Sequence, residues 1–288
     1  MIAHVAQAGE DRGRVVLRIR PSVQASDIAL AAAVRVAQAF HSEIESLLVE
    51  EQQLFEMASF PFAREISLTG RTSRAISPES LEREVRNALA YVRRKIEVMA
   101  RNAEVTVRMR SVRGEPIDVL VSACEECGPW NVVALAEPFT AREAHVLQDL
   151  FGLVTGTTGV VLVGPKACRM AGPIVAAVED IDDLPGMLRA AERLAAREHA
   201  AIQLLLVAES ADRALEMESE TRLAISSNSD VRITAAEMAR GEPAVIAETL
   251  RRMKAGFVIA RFGGLVMPRN GDIGALSAAL ECPLFLVR

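Results

Sequence analysis

Four cysteines stand at positions 124, 127, 168 and 282, and the first two form a C-x-x-C, Cys124-Glu125-Glu126-Cys127, followed by Gly128-Pro129-Trp130. That spacing serves zinc or redox chemistry. A four-ligand zinc site needs two further ligands. There is no second C-x-x-C and no H-x-x-x-H, and the histidines at 4, 41, 145 and 199 are scattered. A redox pair needs a helix start, where the dipole lowers a thiol's pKa. Here the pair falls at the end of a helix opened by Pro116, as small residues on a core-facing stripe. The acidic stretch Glu179, Asp180, Asp182, Asp183 carries donors for a metal, and the same residues make a solvated loop that caps a helix beginning at Leu184. No Gly-x-Ser-x-Gly and no Walker Gly-x-x-x-x-Gly-Lys occurs, so no catalytic residue and no metal ligand is assigned. The basic runs Arg93-Arg94-Lys95 and Arg251-Arg252 alternate with acids on helical stretches and are solvated faces.

Composition bounds the function classes. Lys plus Arg is 33 and Asp plus Glu is 38, a formal net charge of −5. That lacks the basic excess of a dedicated nucleic-acid binder. Aromatics are 4%, too few for base-stacking platforms. No apolar run approaches the roughly 18 to 20 residues of a membrane span, and the N-terminus reads as no secretory signal. Four cysteines in 288 residues are too few for a disulfide framework. The expectation is a soluble cytoplasmic protein with no nucleic-acid and no membrane partner.

The elements that must carry any site follow from the pattern of apolar runs. Short β-branched runs at 14–20, 45–49, 105–112, 131–136, 159–163, 173–178, 201–207, 230–234, 256–260 and 284–287 are mostly continuous rather than alternating. That marks parallel strands covered on both faces. Between them lie helical stretches, among them 26–40, 77–103 and 184–199; the second opens on Ser77-Pro78-Glu79, a sound helix start. Strands alternating with helices imply βαβ units. The chain is also repeated. Arg113-Gly114-Glu115-Pro116 recurs as Arg240-Gly241-Glu242-Pro243. Each copy follows a strand, opens a helix, and is followed by an apolar strand, a helix and a last strand. The units run 1–165 and 171–288 across a loop-rich seam near 164–171. The first carries extra material at about 51–76.

With that order in place the chain resembles the universal stress protein family, the adenine nucleotide alpha-hydrolase-like fold, in its tandem two-domain form. Gly114-Glu115-Pro116 and Gly241-Glu242-Pro243 match the family's Gly-x-Pro before the third helix. The run 174–178 followed by Glu179 and Asp180 resembles its first strand, and Glu281-Cys282-Pro283-Leu284-Phe285-Leu286-Val287 its Cys-Pro and final strand. The resemblance covers nearly the whole chain outside 51–76. It implies an α/β fold of two tandem doubly wound domains about a pseudo-twofold axis, each with a mostly parallel five-stranded sheet flanked by helices. It also implies a place for adenine nucleotide: an Asp after strand one for the adenosine, and a glycine loop with a Gly-Ser/Thr for the phosphates, where small residues let backbone N–H groups approach an anion.

The departures decide the expected function. In the first half Arg20 takes the Asp position, the strand-four glycine falls near Ala136 or Glu137, and 137–145 supplies no glycine loop; this half is expected not to bind ATP. The Ser-Gly-Gly-x-Asp-Ser loop of adenylating relatives is absent too. In the second half Glu179 stands at the Asp position, Arg261 at the strand-four glycine, Gly263 and Gly264 follow, and Gly271-Asp272 replaces Gly-Ser/Thr. An Asp aimed at a phosphate is repulsive unless a metal intervenes, and Arg261 and Arg269 offset part of that. Two readings stand: ordinary turn glycines, or a nucleotide site of Glu179, Gly241, Arg261, Gly263, Gly264 and Gly271. The expectation is a non-catalytic stress-response or regulatory protein acting through protein association, with no cofactor. The alternative is an ATP-binding protein with one site in the second half and slow hydrolysis. The insertion supplies the candidate partner surface: Phe55, Phe60 and Phe62 are three of nine phenylalanines. They serve either an interface, with another protein or a second copy as a homodimer, or a plug over the first half's cleft.

Overall fold

A computed structural model describes residues 13–19, 26–50, 52–67, 69–126, 131–135, 151, 157–225, 231–237, 243–269 and 271–288. Among them are twelve strands and eight α-helices. The first half contains β1 (Arg14–Ile19), α1 (Asp27–Ala39), β2 (Glu43–Glu50), α2 (Gln52–Ala58), β3 (Arg64–Ile66), β4 (Ser73–Ala75), α3 (Pro78–Asn102), β5 (Val107–Arg113), α4 (Pro116–Glu125), β6 (Asn131–Leu135) and β7 (Thr157–Leu162). The second contains β8 (Ile174–Val178), a 3-10 turn (Ile181–Asp183), α5 (Leu184–Ala195), β9 (Ile202–Ala208), α6 (Ala211–Ala224), β10 (Val231–Glu237), α7 (Pro243–Arg252), β11 (Phe257–Arg261), α8 (Ile273–Ala279) and β12 (Leu284–Val287).

Ten strands form one sheet in the order β10-β9-β8-β11-β12-β7-β6-β1-β2-β5. Each half contributes five parallel strands with the same internal order, so the repeated sequence is a repeated topology. The halves meet where β12 pairs β7 antiparallel, Leu284 opposite Leu162 and Val287 opposite Gly159. An unpaired apolar edge in each half is thereby covered by the other. Gly159 is required there: a Cβ would lie 2.6 Å from both the Leu286 carbonyl oxygen and the Phe285 ring. Among the described residues the edges left unpaired are β5 and β10.

Continuous apolar strands bury side chains on both faces. Val15, Leu17 and Ile19 belong to the buried cluster that runs beneath α1, α3, α5 and α6 on one side of the sheet, while Val16, Val133 and Val258 belong to the one beneath α4, α7 and α8 on the other. Helix starts follow local chemistry. The Ser77 hydroxyl accepts from the Ser80 amide while the Ser80 hydroxyl accepts from the Ser77 amide. Pro116 and Pro243, the last residues of the two Arg-Gly-Glu-Pro segments, each open a helix, where a missing N–H costs nothing. Side chains also lock the halves together. Arg35 on α1 donates to the Leu194 carbonyl at 3.0 Å and the Met170 carbonyl at 3.2 Å, pairs with Glu198 at 3.0 Å and lies over the Phe257 ring. Arg193 on α5 lies over Phe40, and Arg197 donates to the carbonyls of Asn102 and Ala103. A cation on a helix's last carbonyls complements its dipole.

Candidate functional site

In each half the strand order turns outward on either side of the first strand, so the topological switch points lie between β1 and β6 and between β8 and β11. Ligands of open α/β sheets bind beyond the carboxyl ends of the strands at such points. In the first half Arg20 and the segment 136–150 lie outside the described residues. In the second half the expected site residues are described, apart from Gly241.

Glu179 follows the last residue of β8, and the loop after β11 folds over it. The Leu265 amide donates to Glu179 Oε2 at 2.5 Å and the Val266 amide to Oε1 at 2.9 Å. The carboxylate therefore holds both oxygens on successive backbone N–H groups of the glycine loop. Gly264 makes this approach possible, since a Cβ there would stand 1.8 Å from Glu179 Oε2. Burial pushes the Glu179 carboxyl above its ordinary value, Asp183 adds to that, and the two amides and Arg261 pull it back.

The rest of the loop is closed on itself. The Gly263 amide donates to the Met267 carbonyl at 2.7 Å, and the Gly271 amide to the Pro268 carbonyl at 2.8 Å. The Arg269 side chain packs on Gly263, whose φ of 90° suits a residue without a Cβ. A Cβ on Gly271 would meet Met267 Cε at 2.7 Å and the Pro268 carbonyl oxygen at 3.0 Å. Arg261 pairs with Asp183 at 2.8 Å. Asp272, at the family's Ser/Thr position, accepts from the Ala275 amide at 2.8 Å and caps α8. The first half braces the loop: Phe151 stacks on Phe262 with centroids 4.3 Å apart. Glu179, Arg261, Gly263, Gly264 and Gly271 are thus brought together, with the amides and carboxylates satisfying each other.

The acidic stretch divides its work in a way spacing did not indicate. Asp180 caps the 3-10 turn by accepting from Asp182 at 3.2 Å, while Asp183, next to α5, makes no capping bond and faces Arg261. Among the described residues no group of three or more His, Cys, Asp or Glu is placed to hold a metal ion. Cys124 is buried in the last turn of α4 with its thiol pushed up to about 11 by burial; Cys127 lies outside the described residues. No helix among the described residues is long and apolar enough to cross a membrane.

Sequence reasoning missed a buried polar cluster at the amino ends of the first half's strands. Arg14 pairs with Glu45 and donates to the Ala123 carbonyl, and Asn131 joins Arg14 Nε at 3.3 Å to the Cys124 carbonyl at 2.8 Å. The residues in register in the second half are Ile174 and Phe257. The available signal was a charged residue inside each of the apolar runs of β1 and β2. The cluster stands at the opposite end of the strands from the switch point.

Between β2 and α3 the insertion forms α2 and the two-stranded hairpin β3–β4. Phe55 is half-buried with the Arg113 guanidinium 4.3 Å above its ring. Phe60 and Phe62 stack on each other at 5.4 Å and stand in solvent.

No protein-family model and no curated protein matches the chain. Solved structures do. A universal stress protein from Archaeoglobus fulgidus DSM 4304 superposes with a TM-score of 0.61 at 12% identity, covering 96% of this chain and 97% of that one. A putative universal stress protein from Pseudomonas aeruginosa UCBPP-PA14 gives 0.58 at 15% identity, covering 99% and 94%. The cytoplasmic domain of a prokaryotic cation chloride cotransporter gives 0.55 at 12%, covering 96% and 95%. Identities this low speak for the fold alone, and that fold, over nearly the full chain, is the one universal stress proteins have.

Proposed function

We propose that this chain, built on the universal stress protein fold, is a non-catalytic stress-response or regulatory protein that acts through protein association and makes no use of its nucleotide clefts. The observation that carries this is the Glu179 carboxylate seated on the Leu265 and Val266 amides. In a phosphate loop such donors face the ligand. Here a tethered anion occupies them, and a phosphate would have to displace it and then sit beside it, like charge against like charge. Arg261, the cation nearest the loop's start, is engaged by Asp183. Asp272 replaces a hydroxyl that would have donated to phosphate with an acceptor already used as a cap. For the first half the support is sequence alone: Arg20 where an acid is needed, and a glycine-poor segment where the loop belongs.

The test is nucleotide binding to the purified full chain. Isothermal titration and thermal melting with millimolar MgATP are expected to show no heat of binding and no rise in Tm. A ligand at one hundred times its Kd raises stability by about 2.7 kcal/mol, well within detection. Saturable ATP binding that Gly264→Val abolishes would refute the reading and establish the alternative, an ATP site in the second half.

A further inference from the structure

The segment that joins the two halves lies against the entry to β12, and it brings two cysteines together. Cys168 stands in this segment and is exposed; Cys282 stands two residues before β12 and is buried. The amides of Cys168 and Arg169 both donate to the Glu281 carbonyl, at 2.9 and 3.0 Å. Cys168 is therefore hydrogen-bonded to the residue next to Cys282. Laid end to end, the N–Cα bond of Cys168, that hydrogen bond and the step from the Glu281 oxygen to the following Cα reach about 7 Å. The angles at the joints shorten this into the range of roughly 4.4–6.8 Å over which a disulfide bridges two cysteines without backbone movement. The two sulfurs also sense each other. Burial is the main cause that holds the Cys282 thiol up at about 12, and Cys168 adds to the rise.

The separation is fixed because the segment is pinned on both sides of Cys168. The Arg169 guanidinium pairs with the Glu281 carboxylate at 2.8 Å. The Ala167 amide closes a turn on the Gly164 carbonyl at 3.1 Å. A Cβ on Gly164 would lie 1.8 Å from the Ser277 carbonyl oxygen of α8, and one on Gly172 2.5 Å from the Lys254 carbonyl oxygen. The chain before and after Cys168 thus runs in backbone contact with the second half. An exposed thiol backed by a second one at short, fixed range is the arrangement of a redox-sensing pair, in which the open sulfur takes the oxidant and its neighbour resolves it.

We propose that Cys168 and Cys282 are a peroxide-sensitive pair, closing a disulfide that fastens the segment between the halves to the entry of β12. The oxidant is a hydroperoxide. The Cys168 thiolate attacks a peroxide oxygen, the O–O bond breaks, and Cys168 becomes a sulfenic acid as hydroxide leaves and is protonated to water. The Cys282 sulfur gives up its proton and attacks the Cys168 sulfur; the S–S bond forms, the S–O bond breaks, and the oxygen departs as water. Two thiols have lost two electrons and two protons, and hydrogen peroxide has become two waters. Burial leaves little Cys282 ionised at neutral pH, so the second step is the slow one, and it proceeds because its partner is held within the same chain. A thiol reductant reverses the link by exchange. The proposal goes beyond the association reading and does not depend on the state of the nucleotide clefts.

The test is oxidation of the full chain. Reduced protein is exposed to hydrogen peroxide, the remaining thiols are blocked with N-ethylmaleimide, and the digest is mapped by mass spectrometry. The expected product is a peptide pair joined through Cys168 and Cys282 within a single chain, two hydrogens lighter than the reduced pair. Because the loop it closes runs through the whole second half, the link is expected to raise Tm by roughly 5–10 °C, and dithiothreitol to reverse the rise. Cys168→Ser, a change at an exposed position, is expected to fold as the parent does, to leave Cys282 unoxidised and to show no rise in Tm. Cys282→Ala is expected to hold Cys168 at the sulfenic acid, trapped by dimedone, and then to let it pass to the sulfinic acid. A parent in which Cys168 reaches the sulfinic acid while Cys282 remains a free thiol overturns the proposal. So does a link from Cys168 to Cys124 or Cys127, or between the Cys168 residues of two chains.

Discussion

Replacing Gly264 by Ala tests the internal carboxylate directly. The backbone tolerates the change, because Gly264 lies outside the left-handed region that Gly263 occupies. The obstacle is a side chain: the new Cβ would lie 1.8 Å from Glu179 Oε2 and 2.5 Å from Cδ, so the carboxylate must leave. With it go the bonds from the Leu265 and Val266 amides. Hydrogen bonds to a charged group contribute about 1.5–3 kcal/mol each. Part of that loss is returned when the half-buried carboxylate regains water, so the net cost is expected at about 2–4 kcal/mol. For a chain of this size that lowers Tm by about 2–4 °C per kcal/mol. In a Glu179→Ala background the obstacle is gone. There Gly264→Ala is expected to be neutral or to stabilise by about 0.4–1 kcal/mol, through the lower entropy of the unfolded chain. Urea unfolding of the four proteins gives the cycle, provided the m-values agree. The reasoning is refuted if Gly264→Ala costs the same in both backgrounds to within about 0.5 kcal/mol, since independent sites add to that precision.

Two further outcomes follow from ionisation. Burial keeps Glu179 protonated to a higher pH in the folded chain than in the unfolded one, whose value is about 4.3. The folded state binds more protons in that window, so the contribution of Glu179 is full below the unfolded value and is lost as pH rises through the folded one. The stability of the parent relative to Glu179→Gln is therefore expected to increase as pH falls from neutral towards 4, read from urea midpoints of both proteins. Among the cysteines, burial pushes the Cys124 thiol to about 11 and that of Cys282 to about 12, while Cys168 is exposed. Site-resolved mass spectrometry after iodoacetamide at mildly alkaline pH is expected to find Cys168 labelled and the other two slower by roughly two orders of magnitude, until the chain is unfolded; equal labelling would show that they are not buried.

What the amino-acid sequence determined by itself was everything set by short-range chemistry. Runs of Val, Ile, Leu and Ala, most of them without alternation, marked the ten strands of the main sheet, nine of them within a residue or two of where the pattern put them and β10 running three residues further; β5, at the sheet's edge, is exposed along most of its length and is not covered on both faces as the pattern required. Ser77-Pro78 and Pro116 marked helix starts because capping and a missing N–H are local effects. The recurrence of Arg-Gly-Glu-Pro marked a repeat because equal order of elements around it requires equal topology. Tertiary structure alone decided which groups meet across the chain. Glu179 and the amides of Leu265 and Val266 are more than eighty positions apart, and only the fold of the β11 loop over the end of β8 joins them. The pairing of β7 with β12 into one continuous sheet, and the burial of Arg14 with Glu45 and Asn131, depend likewise on strands being neighbours in space. So does the exposure of Phe60 and Phe62 while Phe55 packs under Arg113. Spacing along a chain records the period of a helix or strand and the chemistry of its ends; it carries no record of the partner a charge or an aromatic ring finds once distant elements are packed together.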